Sequence, residues 1–192
     1  TVTGSFPAFT GSISLPNQST ARYLTVPLSS NFNQNTPFTV EMWVYPSSNS
    51  SGYIYGNENI SDCFSILYQS GQIKVSKNYS NIISGSASLN NWHHIALSYT
   101  GSSTRLFIDG TLAQTYSGSG SIVNDVIYVG GGNGGGLIGY ISNVRVLNYA
   151  LYTASFSLPT QAPISISGTQ LLLNLVSGSN YLKDNSPNNY TI

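Results

Sequence analysis

Six carboxylates, two histidines and one cysteine are the side chains best suited to acid–base, metal or nucleophilic chemistry in this sequence. The carboxylates are Glu41, Glu58, Asp62, Asp109, Asp125 and Asp184. Hydrolysis of a glycosidic bond needs two carboxyl groups about 5–10 Å apart. No two of these acids stand at i and i+2 on an expected strand, the spacing that puts side chains on one face. Glu58 and Asp62 come nearest, on an expected loop, where acids ordinarily hydrogen-bond the turn. A non-enzymatic chain is the expectation. His93 and His94 are adjacent, so on a strand they point to opposite faces and cannot jointly hold a metal. One of them is expected to be buried and hydrogen-bonded. Cys63 has no electropositive neighbour close in sequence. It sits in DCFSIL (62–67), a strand-like run that predicts a buried, inert thiol.

Binding chemistry is better represented. Carbohydrate recognition couples aromatic rings, on which apolar sugar faces stack, to fixed polar groups for the hydroxyls. Tyr53, Tyr55, Asn57 and Asn59 alternate near one loop, and Tyr79, Asn133 and Tyr140 extend the candidate set. The competing reading is ordinary core and surface aromatics in a Tyr-rich β-protein. Calcium takes six to eight oxygens, several of them anionic; Glu58, Asn59 and Asp62 are the residues that could begin such a site. Otherwise no cofactor is expected. Asn-X-Ser/Thr sequons begin at Asn17, Asn49, Asn59, Asn78 and Asn189, and matter only in a host that glycosylates.

The elements that must position these residues are strands. Apolar and polar residues alternate with period two in FTVEMWVYP (38–46). Phe38, Val40, Met42 and Val44 point one way and Thr39, Glu41, Trp43 and Tyr45 the other, which predicts a strand buried on one face. WHHIALSYTGSSTRLFIDG (92–110) reads as two strands, closed by the strong hairpin signal Asp109-Gly110. Further strands are expected at 11–15, 23–27, 53–56, 64–68, 73–77, 81–85, 111–116, 126–129, 140–147 and 170–175. Turn signals recur about every 8–12 residues, the pattern of an all-β sandwich or jelly roll. YALYTASF (149–156) is the one helix candidate, a turn or two at most. Gly130–Gly136 holds six glycines in seven residues. A strand follows it, whereas a phosphate cradle opens a helix, so it predicts a flexible turn or a point of close backbone approach.

Bulk composition excludes other classes. Charged residues make up 6% of the 192 residues and the net charge is zero, against roughly 25% charged in an average soluble protein. Nothing basic is available to neutralise a nucleic-acid backbone. No apolar run approaches the roughly 20 residues that span a bilayer. Ser, Thr, Asn and Gly must supply solubility, a composition suited to an extracellular or virion surface. The chain starts at Thr1 without Met, as expected of a processed or excised unit.

The ordered series LTVP (24–27), FTVEMWVYP (38–46), NNWHHIALSYTGSSTRLFIDG (90–110), IYVGG (127–131) and GYISNVRVLNYALYT (139–153) resembles the laminin-G-like domains of the concanavalin A-like lectin/glucanase superfamily. It is most similar to those of bacteriophage structural and tail proteins and bacterial surface proteins. The resemblance implies two antiparallel sheets in a jelly roll, often with a ligand face on the concave sheet. It also implies that the Trp92-His93 step is structural. Two departures follow from it. The glycosidase members carry an acidic cluster on one strand that is missing here. Many relatives carry calcium-site acids where this chain has Ala21-Arg22 and Ser142-Asn143, and Arg22 would place a positive charge there.

The ends extend the same reading. Leu171–Asn174 and Lys183–Asn189 look like the strand and turn that normally precede such a domain. The whole of 1–192 then reads as one jelly-roll domain cut at an unusual point. Two arrangements satisfy this. Residues 170–192 close their own sandwich, or they are donated to a neighbouring copy in a filament. The functional expectation is a structural or adhesion module of a fibre or virion, with self-association or other structural proteins as partners and cell-surface glycans as a secondary ligand.

Overall fold

The computed structural model describes residues 11–16, 23–27, 36–56, 62–118, 120–122, 126–132, 135–174 and 182–192. Among them no helix occurs. The described residues form thirteen strands: β1 (Ile13–Leu15), β2 (Leu24–Pro27), β3 (Phe38–Pro46), β4 (Gly52–Gly56), β5 (Phe64–Gln69), β6 (Gln72–Lys77), β7 (Ser80–Ser86), β8 (His93–Tyr99), β9 (Thr104–Ile108), β10 (Thr111–Tyr116), β11 (Val126–Val129), β12 (Gly139–Leu147) and β13 (Thr169–Leu173). Each expected strand is present, displaced by at most two residues at an end.

Two antiparallel sheets face each other in a jelly-roll sandwich. One has the order β1-β12-β3-β8-β9-β10, with β13 also on β12; the other runs β2-β11-β4-β5-β6-β7. β1 pairs with Gly139–Ile141 of β12, and β13 pairs with Val144–Leu147 on the same strand. The first and last strands therefore share β12 as their partner within one chain. Asp184 fastens the segment beyond β13. Its carboxylate accepts from the backbone N–H of Leu172, Ser186 and Tyr190 and from the Ser186 hydroxyl, at 2.7–3.0 Å. Leu182, Tyr190 and Ile192 then pack on the core.

The core lies between the sheets and takes Phe38, Val40, Met42 and Val44 from β3 and Ile95, Leu97 and Tyr99 from β8, as alternation predicts. Asp109 and Gly110 both have positive φ (51° and 75°), the conformation of a two-residue hairpin turn. Two expectations need correction. β3 is buried on both faces, not one, because residues 148–168 cross the outer face of its sheet. Residues 149–156 form no helix. Their backbone groups are taken by the sheet: Leu151 N–H donates to Thr39 Oγ1 at 2.8 Å and Phe156 N–H to the Gly110 carbonyl at 2.8 Å. A Cβ at position 110 would collide with that Phe156 carbonyl group, so the hairpin glycine also makes room for the strap.

Candidate functional site

The outer face of the first sheet carries a polar half under the strap and an aromatic half beyond it. A bulge in β12 creates the polar half. Ser142 is opposite Trp43 and Arg145 is opposite Glu41, so two residues of β12 span the single Met42 of β3. The extra residue is Asn143, whose φ of 51° asparagine tolerates. Without this insertion Arg145 would point into the core. With it, Arg145 faces outward beside Glu41.

Glu41 is the hub. Arg145 Nε donates to Oε1 at 2.6 Å and Nη2 pairs with the same oxygen. Tyr152 OH donates to Oε2 at 2.7 Å, and His94 Nε2 lies 3.2 Å from it. Burial opposes ionisation of Glu41, yet the hydrogen bond and charge of His94, the charge of Arg145 and the Tyr152 hydroxyl outweigh it, holding the carboxyl below its usual range. Burial, then the Glu41 charge, pushes the Tyr152 phenol far up. Both carboxylate oxygens are spent, and no second carboxylate lines the cavity beside them. Arg145 Nη1 also donates to the Ile164 carbonyl at 3.2 Å, tying the strap to the sheet. An aromatic row seals this half. Tyr152 stacks on Phe156 at 3.7 Å, and Phe156 meets His94 and Phe107 edgewise or tilted.

Between Trp43 and residues 159–164 lies a cavity of about 260 Å³, floored by Glu41, His94, Asn143 and Arg145. Two strand positions along β3 from Trp43, roughly 7 Å away, the face opens. There Tyr45, Trp92 and Tyr140 gather, with ring centroids 5.6, 5.7 and 6.5 Å apart. Tyr140 is 40% exposed and Tyr45 and Trp92 are half-buried. Gly139 sets the corner. Its φ is 152°, and a Cβ there would strike the Tyr45 carbonyl oxygen.

The sequence-derived candidates do not form one site. Tyr140 belongs to the aromatic group just described. Tyr53 lies on the other sheet, against the glycine loop: its N–H donates to Gly135 O and its carbonyl accepts from Leu137 N–H. That loop's close backbone approach is thus to its own β4. Tyr55 is fully buried in the core, which removes it as a ligand platform. The cause is a bulge at Ile54: Tyr53 is opposite Leu67 and Tyr55 opposite Ile66, so strict alternation fails between them. Tyr79, 77% exposed, sits on the β6–β7 turn. Asn57, Glu58, Asn59 and Asn133 lie outside the described residues, as do Asn17, Ala21 and Arg22. Asp62, of the tentative calcium group, is engaged by Lys77 at 3.1 Å and by Asn78, which hold its carboxyl below the usual range. Among the described residues no three His, Cys, Asp or Glu side chains cluster for a metal. Of the sequons, Asn49, Asn78 and Asn189 are exposed.

Both histidines are buried, on opposite faces. His93 Nδ1 meets Asp109 Oδ2 at 2.7 Å and Nε2 lies 3.1 Å from Ser88 O. Burial lowers its pKa, but the hydrogen bond and charge of Asp109 and the Ser88 carbonyl raise it further, for a net upward shift. Cys63 is free and buried; burial, then the Asp62 charge, pushes the thiol up and leaves it unreactive. Among the described residues no helix is long and apolar enough to cross a membrane.

A Laminin G 3 family model, described as "Concanavalin A-like lectin/glucanases superfamily", matches residues 18–155, well over half of the chain. The chain belongs to this superfamily. Among solved structures it is similar to a Bacteroides ovatus protein proposed to bind carbohydrate, at 18% identity and a TM-score of 0.70, covering 88% of this chain and 52% of that one. It is also similar to a heptameric SAP-like pentraxin of Limulus polyphemus, at 18% identity, TM-score 0.54 and coverage of 74% and 77%. The receptor-binding domain of botulinum neurotoxin D matches at 14% identity and TM-score 0.56, over 71% of this chain and 40% of that one. At these identities the likenesses establish the fold. The chain spans about half the length of the Bacteroides protein. No curated protein matches it in sequence. In this superfamily member Trp92, outside the candidate binding set drawn from the sequence, lies across from Tyr45 and completes the open aromatic group with Tyr140.

Proposed function

We propose that the chain is a non-enzymatic carbohydrate-recognition and adhesion module that works outside the cell or on a virion surface. The observation that carries this reading is the open Tyr45–Trp92–Tyr140 group. Three rings on one sheet face, set by the residue before β8, the start of β12 and the end of β3, are tilted against one another by 44–73° and offer a cluster of apolar ring faces on which sugar rings stack. The superfamily match and the lectin-like neighbours favour the same reading. A neutral surface suits it too, since sugar hydroxyls are met by hydrogen bonds and need no charge. The non-enzymatic part rests on Glu41. It is ionised, saturated by Arg145, His94 and Tyr152, and has no carboxylate partner in its cavity, so it lacks the arrangement hydrolysis needs.

The test is a broad glycan array, followed by titration of the best ligand. Trp92→Ala and Tyr140→Ala are each expected to weaken binding by about two- to tenfold while the protein stays folded, since one stacked aromatic contributes about 0.5–1.5 kcal/mol. Silence across the array would overturn the proposal.

A further inference from the structure

We infer that the cavity between Trp43 and residues 159–164 is a subsite for a single neutral sugar ring. The inference rests on the carbohydrate-recognition reading and adds where a ligand's terminal residue goes. Size comes first. At about 260 Å³ the cavity falls just below the ~300–1,000 Å³ of pockets that enclose drug-sized ligands, so it suits one ring and no more.

Unused hydrogen-bonding capacity is the second observation. Among the described residues, Asn143 Nδ2 and His94 Nδ1 are buried without a partner, and both residues line the cavity. Their exposures are 3% and 2%. A buried polar atom left unpaired is costly and calls for an explanation. Asn143 Nδ2 donates. With Nε2 turned to the Glu41 carboxylate, His94 Nδ1 accepts from a ligand as a neutral ring or donates to it as an imidazolium. A hydroxyl is both donor and acceptor, so a hydroxyl-bearing ring satisfies both residues. The two residues also flank Trp43 across three adjacent strands: His94 is paired with Trp43, and Trp43 with Ser142, next to Asn143. That spread is about two strand spacings, roughly 10 Å at the backbone. It leaves the indole between the two polar groups, where the apolar face of a ring would lie.

Charge argues for a neutral ligand. Arg145, the cation of the floor, is matched by Glu41 and held by the Ile164 carbonyl. On the opposite wall Pro159, Ala162, Pro163 and Ile164 offer apolar area for C–H groups, and Thr160 and Gln161 add polar groups suited to hydroxyls. An anion would meet the Glu41 carboxylate with no uncommitted positive partner.

The experiment uses the whole chain and the methyl pyranosides of glucose, galactose, mannose and N-acetylglucosamine as probes, with free sialic acid as the charged control. The two tryptophans give two indole N–H signals. At least one methyl pyranoside is expected to shift the Trp43 signal in the wild type. Asn143→Gly preserves the positive φ of the bulge and is expected to weaken that binding about tenfold. Should this variant fold poorly, the wild-type Trp43 signal decides alone. A Trp43 signal unmoved by every methyl pyranoside, while a longer glycan still binds through Trp92, overturns the subsite and leaves the module's function standing. Binding of sialic acid in preference to the neutral sugars, or Asn143→Gly binding as well as wild type, also overturns it. No binding of any saccharide, short or long, defeats both readings together.

Discussion

The two halves of one sheet face invite comparison. Glu41 and Tyr45 are four residues apart on the same side of β3, and both were expected to face solvent. Glu41 lies under the strap within a network of four side chains. Tyr45 lies beyond it, next to the exposed ring of Tyr140. The strand is the same; the cover differs. Where the strap crosses, the face is a second core, and its charged groups are paired with one another because burial makes an unmatched charge costly. Where it stops, the face carries aromatic rings that pack on one another and stay partly open. In the proposed reading, the charge network of the covered half supplies stability and the open half supplies the main aromatic platform for recognition.

The largest expected effect that sharpens this division is on the covered side. Glu41→Ala leaves Arg145 buried without its counter-charge and should cost ~3–5 kcal/mol in urea unfolding. An unchanged midpoint would mean that the strap does not exclude water. The same network should respond to acid. The Glu41 carboxyl is held below its usual 4.5, so its contribution is present above that pH and lost as pH falls through the lower folded value. Unfolding curves between pH 5 and 2 should show the decline in wild type and much less of it in Glu41→Gln.

Next in size, Phe156→Ala removes the ring that holds the strap on Tyr152, His94 and Phe107. A loss of ~2 kcal/mol is expected, below the range for a fully buried Phe because Phe156 is only partly buried. Hydrogen exchange at Leu151 and Phe156 should accelerate while Trp92 is unaffected.

Smaller still is the His93–Asp109 clasp. Because the folded pKa of His93 is raised above 6.5, its contribution is full below that pH and is lost as pH rises through the folded value. Asp109→Asn should flatten the stability profile near neutrality, at a cost of about 1 kcal/mol at pH 6. In the open half, Trp92→Ala should change stability least of the four and glycan binding most.

The fold was legible because its signals are local. Alternation in 38–46 and 93–99, the Asp109-Gly110 turn and the spaced Gly/Ser/Asn clusters each mark a strand or its end without reference to anything distant. The site was not, for two physical reasons. One is the bulge. A single inserted residue reverses every later side chain, and nothing in GYIYG or YISNVRV marks Ile54 or Asn143 as the insertion. The bulge at Ile54 took Tyr55 into the core, and the one at Asn143 brought Arg145 out to Glu41. The other reason is long-range cover. The strap that buries Glu41 lies more than a hundred residues later, and its YALYTASF run resembled a helix because the sheet groups that bind its backbone were not in view. Tyr140 stood among the candidates from composition alone, but its neighbours Tyr45 and Trp92 come from β3 and the residue before β8, and only the sheet register joins them.

The account turns on the open half being the recognition surface. The most direct measurement is a titration of the protein with its best array glycan, followed through the indole N–H signals of Trp43 and Trp92 and the backbone signals of Tyr45 and Tyr140. The account predicts saturable shifts at Trp92, Tyr45 and Tyr140 that weaken in Tyr140→Ala. Shifts confined to the other sheet, at Tyr53 and the glycine loop, with Trp92 unmoved, would contradict it.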